Sequence, residues 1–228
     1  MKLTILLLFI SILNINSINA QYFVGSFDLV ASQIPSNGNS RSDTLSYYYG
    51  EYKTAIIIHS KRKQPEMRLV FDPRDSTITG LFKMKGKKSG YILPMDENHW
   101  PGMPYAFKTY GTGPRAELNY TGDSKEIEGL ICQEVLAESN EYSASLWITG
   151  EIPLTMSSVL SYQSVGAGKS QKELEQFHQF EVEPLPLELN LKSKTGKSDI
   201  QIKIINLRKS VNDSIFSTEG HSLSKVEN

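Results

Sequence analysis

The sequence predicts a mainly β protein with minor α content: a large curved antiparallel sheet, a half-barrel, packed around one or two helices. Three observations carry this expectation. Apolar and polar residues alternate with period two over most of the chain, the signature of half-buried strands. Short clusters of Gly, Asn, Asp and Ser punctuate that alternation where a chain reverses. Only two stretches, 153–165 and 169–180, have the composition and spacing of helices, and both come late.

The first twenty of the 228 residues, MKLTILLLFISILNINSINA, have a positive start at Lys2, an apolar stretch from Leu3 to Leu13 and a small residue at Ala20. This layout predicts a secretory signal peptide over 1–20, cleaved before Gln21. The apolar stretch is shorter than the roughly 20 residues of a spanning helix, so no transmembrane anchor is expected after cleavage. The expected location is periplasmic or secreted. Removing Lys2 takes the formal net charge from −1 to −2. That near-neutral balance argues against nucleic acid or an anionic membrane as the main partner. The basic clusters KRK at 61–63 and KMKGKK at 83–88 fall at expected turns and read as solvated loops.

Residues 21–228 read as a single β-rich domain, long enough to bury a core without disulfides. A first strand is expected over 22–34 and a turn over 36–43. DTLSYYYG and KTAIIIHS then meet as a hairpin at Gly50-Glu51. Strands at 67–71 and 77–84 flank the turn DPRDS, and YILPM follows. Residues 95–115 hold three prolines and three glycines and predict a long irregular loop. AELNYTG, KEIEGLICQEVLAES and EYSASLWIT resume the strands, with a bulge expected at Gly129 and a turn at Asn140. After the helical stretches, 185–191 and 199–207 alternate again, bringing the expected strands to about ten.

The stretch EIEGLICQEVLAESNEYSASLWITGEIPL carries a resemblance. Its Ile127, Gly129, Cys132, Trp147, Thr149, Ile152 and Pro153 are similar to a segment of exported bacterial proteins, the domain of unknown function 4412 family. RLVFDPRDSTITGLF and LPLELNLKSKTGKSDIQIKIINLRKS resemble flanking units of the same family. The related GLPGLI family shares the Trp-x-Thr segment, but its naming motif is absent. The resemblance implies a fold like the lipoprotein carriers LolA and LolB, and it brings no catalytic residue. A carrier-like function follows only by analogy of fold.

Cys132 is the only cysteine, so no internal disulfide is available. A strand position with Glu134 nearby suits a buried thiol rather than a nucleophile. His59, His99, His178 and His221 have no zinc-like spacing, and no nucleophile elbow or phosphate loop is present, so no catalytic residue, metal or other cofactor is assigned. Asp96, Glu97 and His99 in DENHW have metal-ligating side chains but read as a solvated loop. WPGMPYAF concentrates large apolar side chains on a loop. Trp100, Tyr105 and Phe107 are therefore the ligand-contacting candidates, with Phe177 on a helix serving as a lid. The same residues also suit a plain cover over the end of the core. Asp43-Thr44-Leu45, Asp75-Ser76-Thr77 and Asp213-Ser214-Ile215 resemble a short bacterial O-glycosylation pattern in expected turns.

Three functions remain open on the sequence. The first is a non-enzymatic extracytoplasmic binding protein for a hydrophobic small molecule, lipid or lipoprotein. The second is a cell-envelope protein–protein interaction module with a packed core. The third is a hydrolase with carboxylates that meet only in space.

Overall fold

In the computed structural model the described residues are 23–60, 64–96, 98–100, 118–162 and 185–226. They form twelve strands and a short helix: β1 (Gly25–Ile34), β2 (Arg41–Tyr49), β3 (Thr54–Ile58), β4 (Met67–Asp72), β5 (Thr77–Met84), β6 (Lys87–Pro94), β7 (Leu118–Ile127), β8 (Leu130–Glu138), β9 (Tyr142–Ile148), α1 (Met156–Ser161), β10 (Pro186–Ser193), β11 (Asp199–Arg208) and β12 (Ser222–Lys225). All twelve lie in one open sheet in the order β12-β6-β5-β4-β3-β2-β1-β11-β10-β9-β8-β7. Pairing is antiparallel except where β12 runs parallel to β6.

Alternation decides the two faces. In β9, Tyr142, Ala144, Leu146 and Ile148 are buried while Ser143, Ser145 and Trp147 between them are only half-buried. β1 does the same with Phe27 and Leu29. Because opposite residues of paired strands share a face, these patterns align into apolar rows across the sheet. One row runs Phe27, Tyr47, Ile56, Leu69. At its next step Gly80 has no side chain, and the Tyr91 ring fills the space.

Several turns match their sequences. Gly50 N–H donates to Lys53 O at 2.9 Å, closing the expected β2–β3 hairpin. In DPRDS, Asp72 is 6% exposed and its carboxylate accepts from Arg74 N–H at 3.1 Å and from Lys53 Nζ at 2.8 Å. Burial alone would raise its pKa. The bonds from Lys53 and from the Arg74 and Asp75 amides outweigh that and hold it below the usual carboxylate range.

Other expectations need correction. Gly129 is not a bulge: Glu128 and Gly129 both adopt left-handed conformations, φ 51° and 76°, and make a two-residue hairpin turn between β7 and β8. The irregularity lies upstream, between Tyr120 and Ser124 around left-handed Gly122. That bulge and its charged neighbours blunt β7, an edge of the sheet. Asp43-Thr44-Leu45 lies within β2 rather than a turn, and Asp213–Phe216 is a 3-10 helix, whereas Asp75 and Ser76 lie in a turn and Thr77 opens β5. The 153–165 helix is reduced to α1, and the 169–180 stretch lies outside the described residues.

The chain's last part carries no strand or helix expectation, yet it is ordered as a strap across the outer face. Ile215 and Phe216, together with Tyr48, pack on Ala55, Val70 and Leu81, Arg68 donates to Ser217 O at 2.8 Å, and Leu223 sits over Gly90. β12 thereby covers the edge that β6 would otherwise expose.

Candidate apolar ligand site

The concave face is an apolar layer with one closed end. α1 starts in a reciprocal cap: the Thr155 hydroxyl accepts from Ser158 N–H at 3.0 Å, and the Ser158 hydroxyl accepts from Thr155 N–H at 3.2 Å. With six residues it is too short to hold itself. Side chains from elsewhere satisfy carbonyls near its C-terminal end. Tyr47 Oη donates to Val159 O at 3.1 Å, and Trp100 Nε1 donates to Ser161 O at 3.0 Å. Beneath the helix an aromatic layer joins the two. Phe71 meets Tyr162 edge-on at 4.8 Å and Trp100 at 5.2 Å, and Phe27 stacks on Tyr47 at 5.2 Å. Tyr49 is buried here, and among the described residues its hydroxyl has no hydrogen-bond partner. Burial, reinforced by Tyr162 and Tyr47, raises its pKa well above the usual phenol value.

The opposite end of this face is less covered. Leu45, Ile58, Met67 and Phe82 stand directly opposite one another on β2, β3, β4 and β5, and all four are only half-buried. Ala31 and Ile200 are likewise only partly covered. The result is an in-register apolar stripe crossing four strands, with its rim at the β5–β6 turn. Periodicity shows each member as strand-like; only the register brings them together.

Of the four candidate contacts, Trp100 is described. It is 3% exposed and belongs to the core's closed end. Its approach follows from local geometry: Asp96 O accepts from Trp100 N–H at 2.8 Å, so the turn aims the indole inward. Tyr105, Phe107 and Phe177 lie outside the described residues. In the same turn Asp96 Oδ1 accepts from His99 Nδ1 at 2.7 Å and from His99 N–H at 3.0 Å. The bond from the His99 side chain leads in lowering the Asp96 pKa. Asp96 Oδ1 and His99 Nδ1 are thus engaged within the turn. Among the described residues no three His, Cys, Asp or Glu side chains gather to hold a metal.

A catalytic-looking constellation does occur on the outer face. Ser46 Oγ is 2.8 Å from His59 Nε2, and His59 Nδ1 is 3.5 Å from Glu66 Oε2. Composition and order suit a serine nucleophile, a base and an orienting acid. The proton placement does not. Ser46 donates to Asp28 Oδ1 at 2.5 Å, so His59 Nε2 must donate to Ser46 rather than receive its proton. Ser46 is also 4% exposed, on a strand paired on both sides, which leaves no room for an acyl substrate. With Asn206 of β11 donating to Asp28 Oδ2 at 2.7 Å, the group ties β1, β2, β11 and the chain after β3 together.

Cys132 is fully buried, with Sγ 3.7 Å from Leu130 O. Burial pushes its pKa up; Lys125 on the facing strand pulls it down, while Glu188 and Glu151 add to the rise. Glu134, the acidic neighbour in sequence, instead accepts from Ser145 and Thr121. The thiol is therefore expected to react with thiol reagents only on unfolding. Cys132→Ser should cost about 1–3 kcal/mol by burying a hydroxyl among apolar groups, and Cys132→Ala less. Timed labelling in native buffer and in denaturant, with melts of both variants, checks this; rapid native labelling would contradict the burial.

No family model matches this chain, and no curated protein matches it. Similar solved structures include PNGF-II, at 10% identity and a TM-score of 0.37 over 89% of this chain and 31% of that one. An uncharacterized conserved protein from Thermus thermophilus is 7% identical with a TM-score of 0.39, covering 88% and 90% of the two chains. A LolA superfamily protein from Nitrosomonas europaea is 8% identical with a TM-score of 0.33, covering 86% and 90%. The chain thus spans about a third of the length of PNGF-II. Likeness at these scores carries no argument about the site.

Proposed function

We propose that this protein is an exported, non-enzymatic binding protein that holds an apolar ligand or a lipidated partner against its concave face. The carrying observation is the half-buried stripe Leu45, Ile58, Met67 and Phe82, continuous with a buried aromatic layer. A six-residue helix is about 9 Å long and spans a fraction of a face built by so many strands. Apolar side chains left half-wet gain about 25 cal/mol for each further Å2 covered, so an acyl chain laid along the stripe is favoured. Trp100 forms the end wall, and Tyr105, Phe107 and Phe177 are the candidate rim and lid. Export rests on the signal-like residues 1–20; no helix among the described residues is long and apolar enough to cross a membrane.

Native mass spectrometry of the purified protein should show a fatty-acid- or lipid-sized adduct. Stripping the adduct should lower the melting temperature. Ile58→Asp, which puts a charge in the middle of the stripe, should weaken retention by an order of magnitude or more. A bare mass, with no lipid class raising the melting temperature, would favour the interaction module instead. That reading draws on the close contact of the aromatic rings under α1, where little space is left to fill.

A further inference from the structure

The β5–β6 hairpin tip breaks the rules that its own fold would prefer. Lys83, Met84, Lys85, Gly86, Lys87 and Lys88 are all exposed, and Met84 is 57% exposed. Lys83 stands directly opposite Lys88 on the paired strand, where like charges repel. The turn itself, Lys85 at φ 49° followed by Gly86 at φ 82°, is one in which Asn or Asp normally precedes the glycine. A lysine there accepts backbone strain as well as repulsion. Elsewhere five lysines are paired, Lys53 with Asp72, Lys125 with Glu188, Lys194 with Glu138, Lys197 with Glu141 and Lys209 with Glu151, and the lysines without such a partner, Lys192, Lys203 and Lys225, stand singly rather than in a cluster. Among the described residues no carboxylate pairs with any of the four tip lysines. Two local costs and four uncompensated charges, on a chain whose net charge is close to zero, point outside the fold.

We propose that this tip, which the sequence alone reads as a solvated loop, is a docking point for an anionic lipid surface, a local attraction that does not require a positive net charge on the whole chain. The four ammonium groups face lipid phosphates, and Met84, flanked by Lys83 and Lys85, enters the interface between headgroups and acyl chains. Geometry favours a bilayer over nucleic acid. The tip is a convex two-residue turn rather than a groove that tracks a backbone, and it has no aromatic ring on which a base would stack. Phe82, the residue next to the tip on β5, is the last member of the half-buried apolar stripe, so docking brings the stripe's rim to the membrane. The docking itself does not depend on the apolar-ligand reading, because vesicle binding is measured with no cargo.

The test is flotation of the full exported protein with vesicles of phosphatidylglycerol and phosphatidylcholine in equal parts, and with phosphatidylcholine alone. Binding is expected on the anionic vesicles only and should fall steeply in high salt. Each lysine near such a surface contributes about fivefold to partitioning. The quadruple variant K83Q/K85Q/K87Q/K88Q should therefore lose about two orders of magnitude or more, and Met84→Ser several-fold. The quadruple variant should melt at the same or a higher temperature, since repulsion has been removed, which separates lost docking from lost folding. Lys197→Gln/Lys209→Gln, which removes two paired lysines, should bind as the parent does. Ile58→Asp should still float, so failure of the ligand reading leaves this one standing. Absence of binding to the anionic vesicles, an unaffected quadruple variant, or tighter salt-sensitive binding to a single-stranded oligonucleotide than to the vesicles would overturn the proposal.

Discussion

Replacing Trp100 by alanine is expected to destabilise the protein by about 3–5 kcal/mol, the usual range for removing a buried large aromatic side chain. The indole is 3% exposed and lies edge-on to Phe71 at 5.2 Å. It also donates from Nε1 to Ser161 O at the end of α1. Alanine removes the packing and leaves that carbonyl, on a buried residue, without this donor. Trp100→Phe separates the two effects: most of the packing stays, and the lost donor should cost about 1–3 kcal/mol. Urea melts of both variants read the difference. A loss of less than about 1 kcal/mol for Trp100→Ala would mean that the indole does not close this end of the core, and α1 would need another anchor.

Among the described glycines, Gly25→Ala is expected to be the most damaging single-methyl addition. A Cβ built on Gly25 lies 2.2 Å from the backbone oxygen of Arg208 and 2.6 Å from the Phe23 ring. The nearer obstacle is main chain, so it cannot rotate aside. β1 and β11 must separate where the sheet's two halves join, β12 to β1 on one side and β11 to β7 on the other. Overpacking of this kind costs about 1–3 kcal/mol and occasionally more. Here the strands that move also carry Phe27 and Leu29 into the core. Gly38→Ala serves as a contrast, because nothing lies within 4 Å of a Cβ there and only its left-handed backbone, φ 83°, is strained. Thermal melts of the two variants should place Gly25→Ala well below Gly38→Ala. Equal melting temperatures would show that the β1–β11 junction yields easily.

Much of the sheet was legible because a strand writes its two faces into adjacent residues. The hairpin at Gly50, the Asp72 turn and the reversal at Asn140 each carry local turn chemistry, and each lies where expected. Gly129 reads as a bulge in the sequence because an isolated glycine between apolar runs suits a bulge as well as a turn. The choice depends on which strand pairs with which. β12 had no readable signal: no residue of Ser222–Lys225 is buried, and its alternation has no meaning until β6 lies beside it. The burial of Cys132 followed from its apolar neighbours. The basic residue across from it, Lys125, lies seven positions upstream and arrives through the hairpin.

The sequence by itself determined the strand-rich class, most turn positions and the apolar character of one face, because these depend on contacts between near neighbours along the chain. Tertiary structure decided what those pieces do together. It placed Trp100 beneath α1 and across from Phe71, and it lined up Leu45, Ile58, Met67 and Phe82 from four strands into one stripe. It also directed the Ser46 proton to Asp28 and not His59, which removes a triad that residue types alone would have allowed. Register and the direction of a hydrogen bond are set by partners tens of residues away, and no local pattern encodes them.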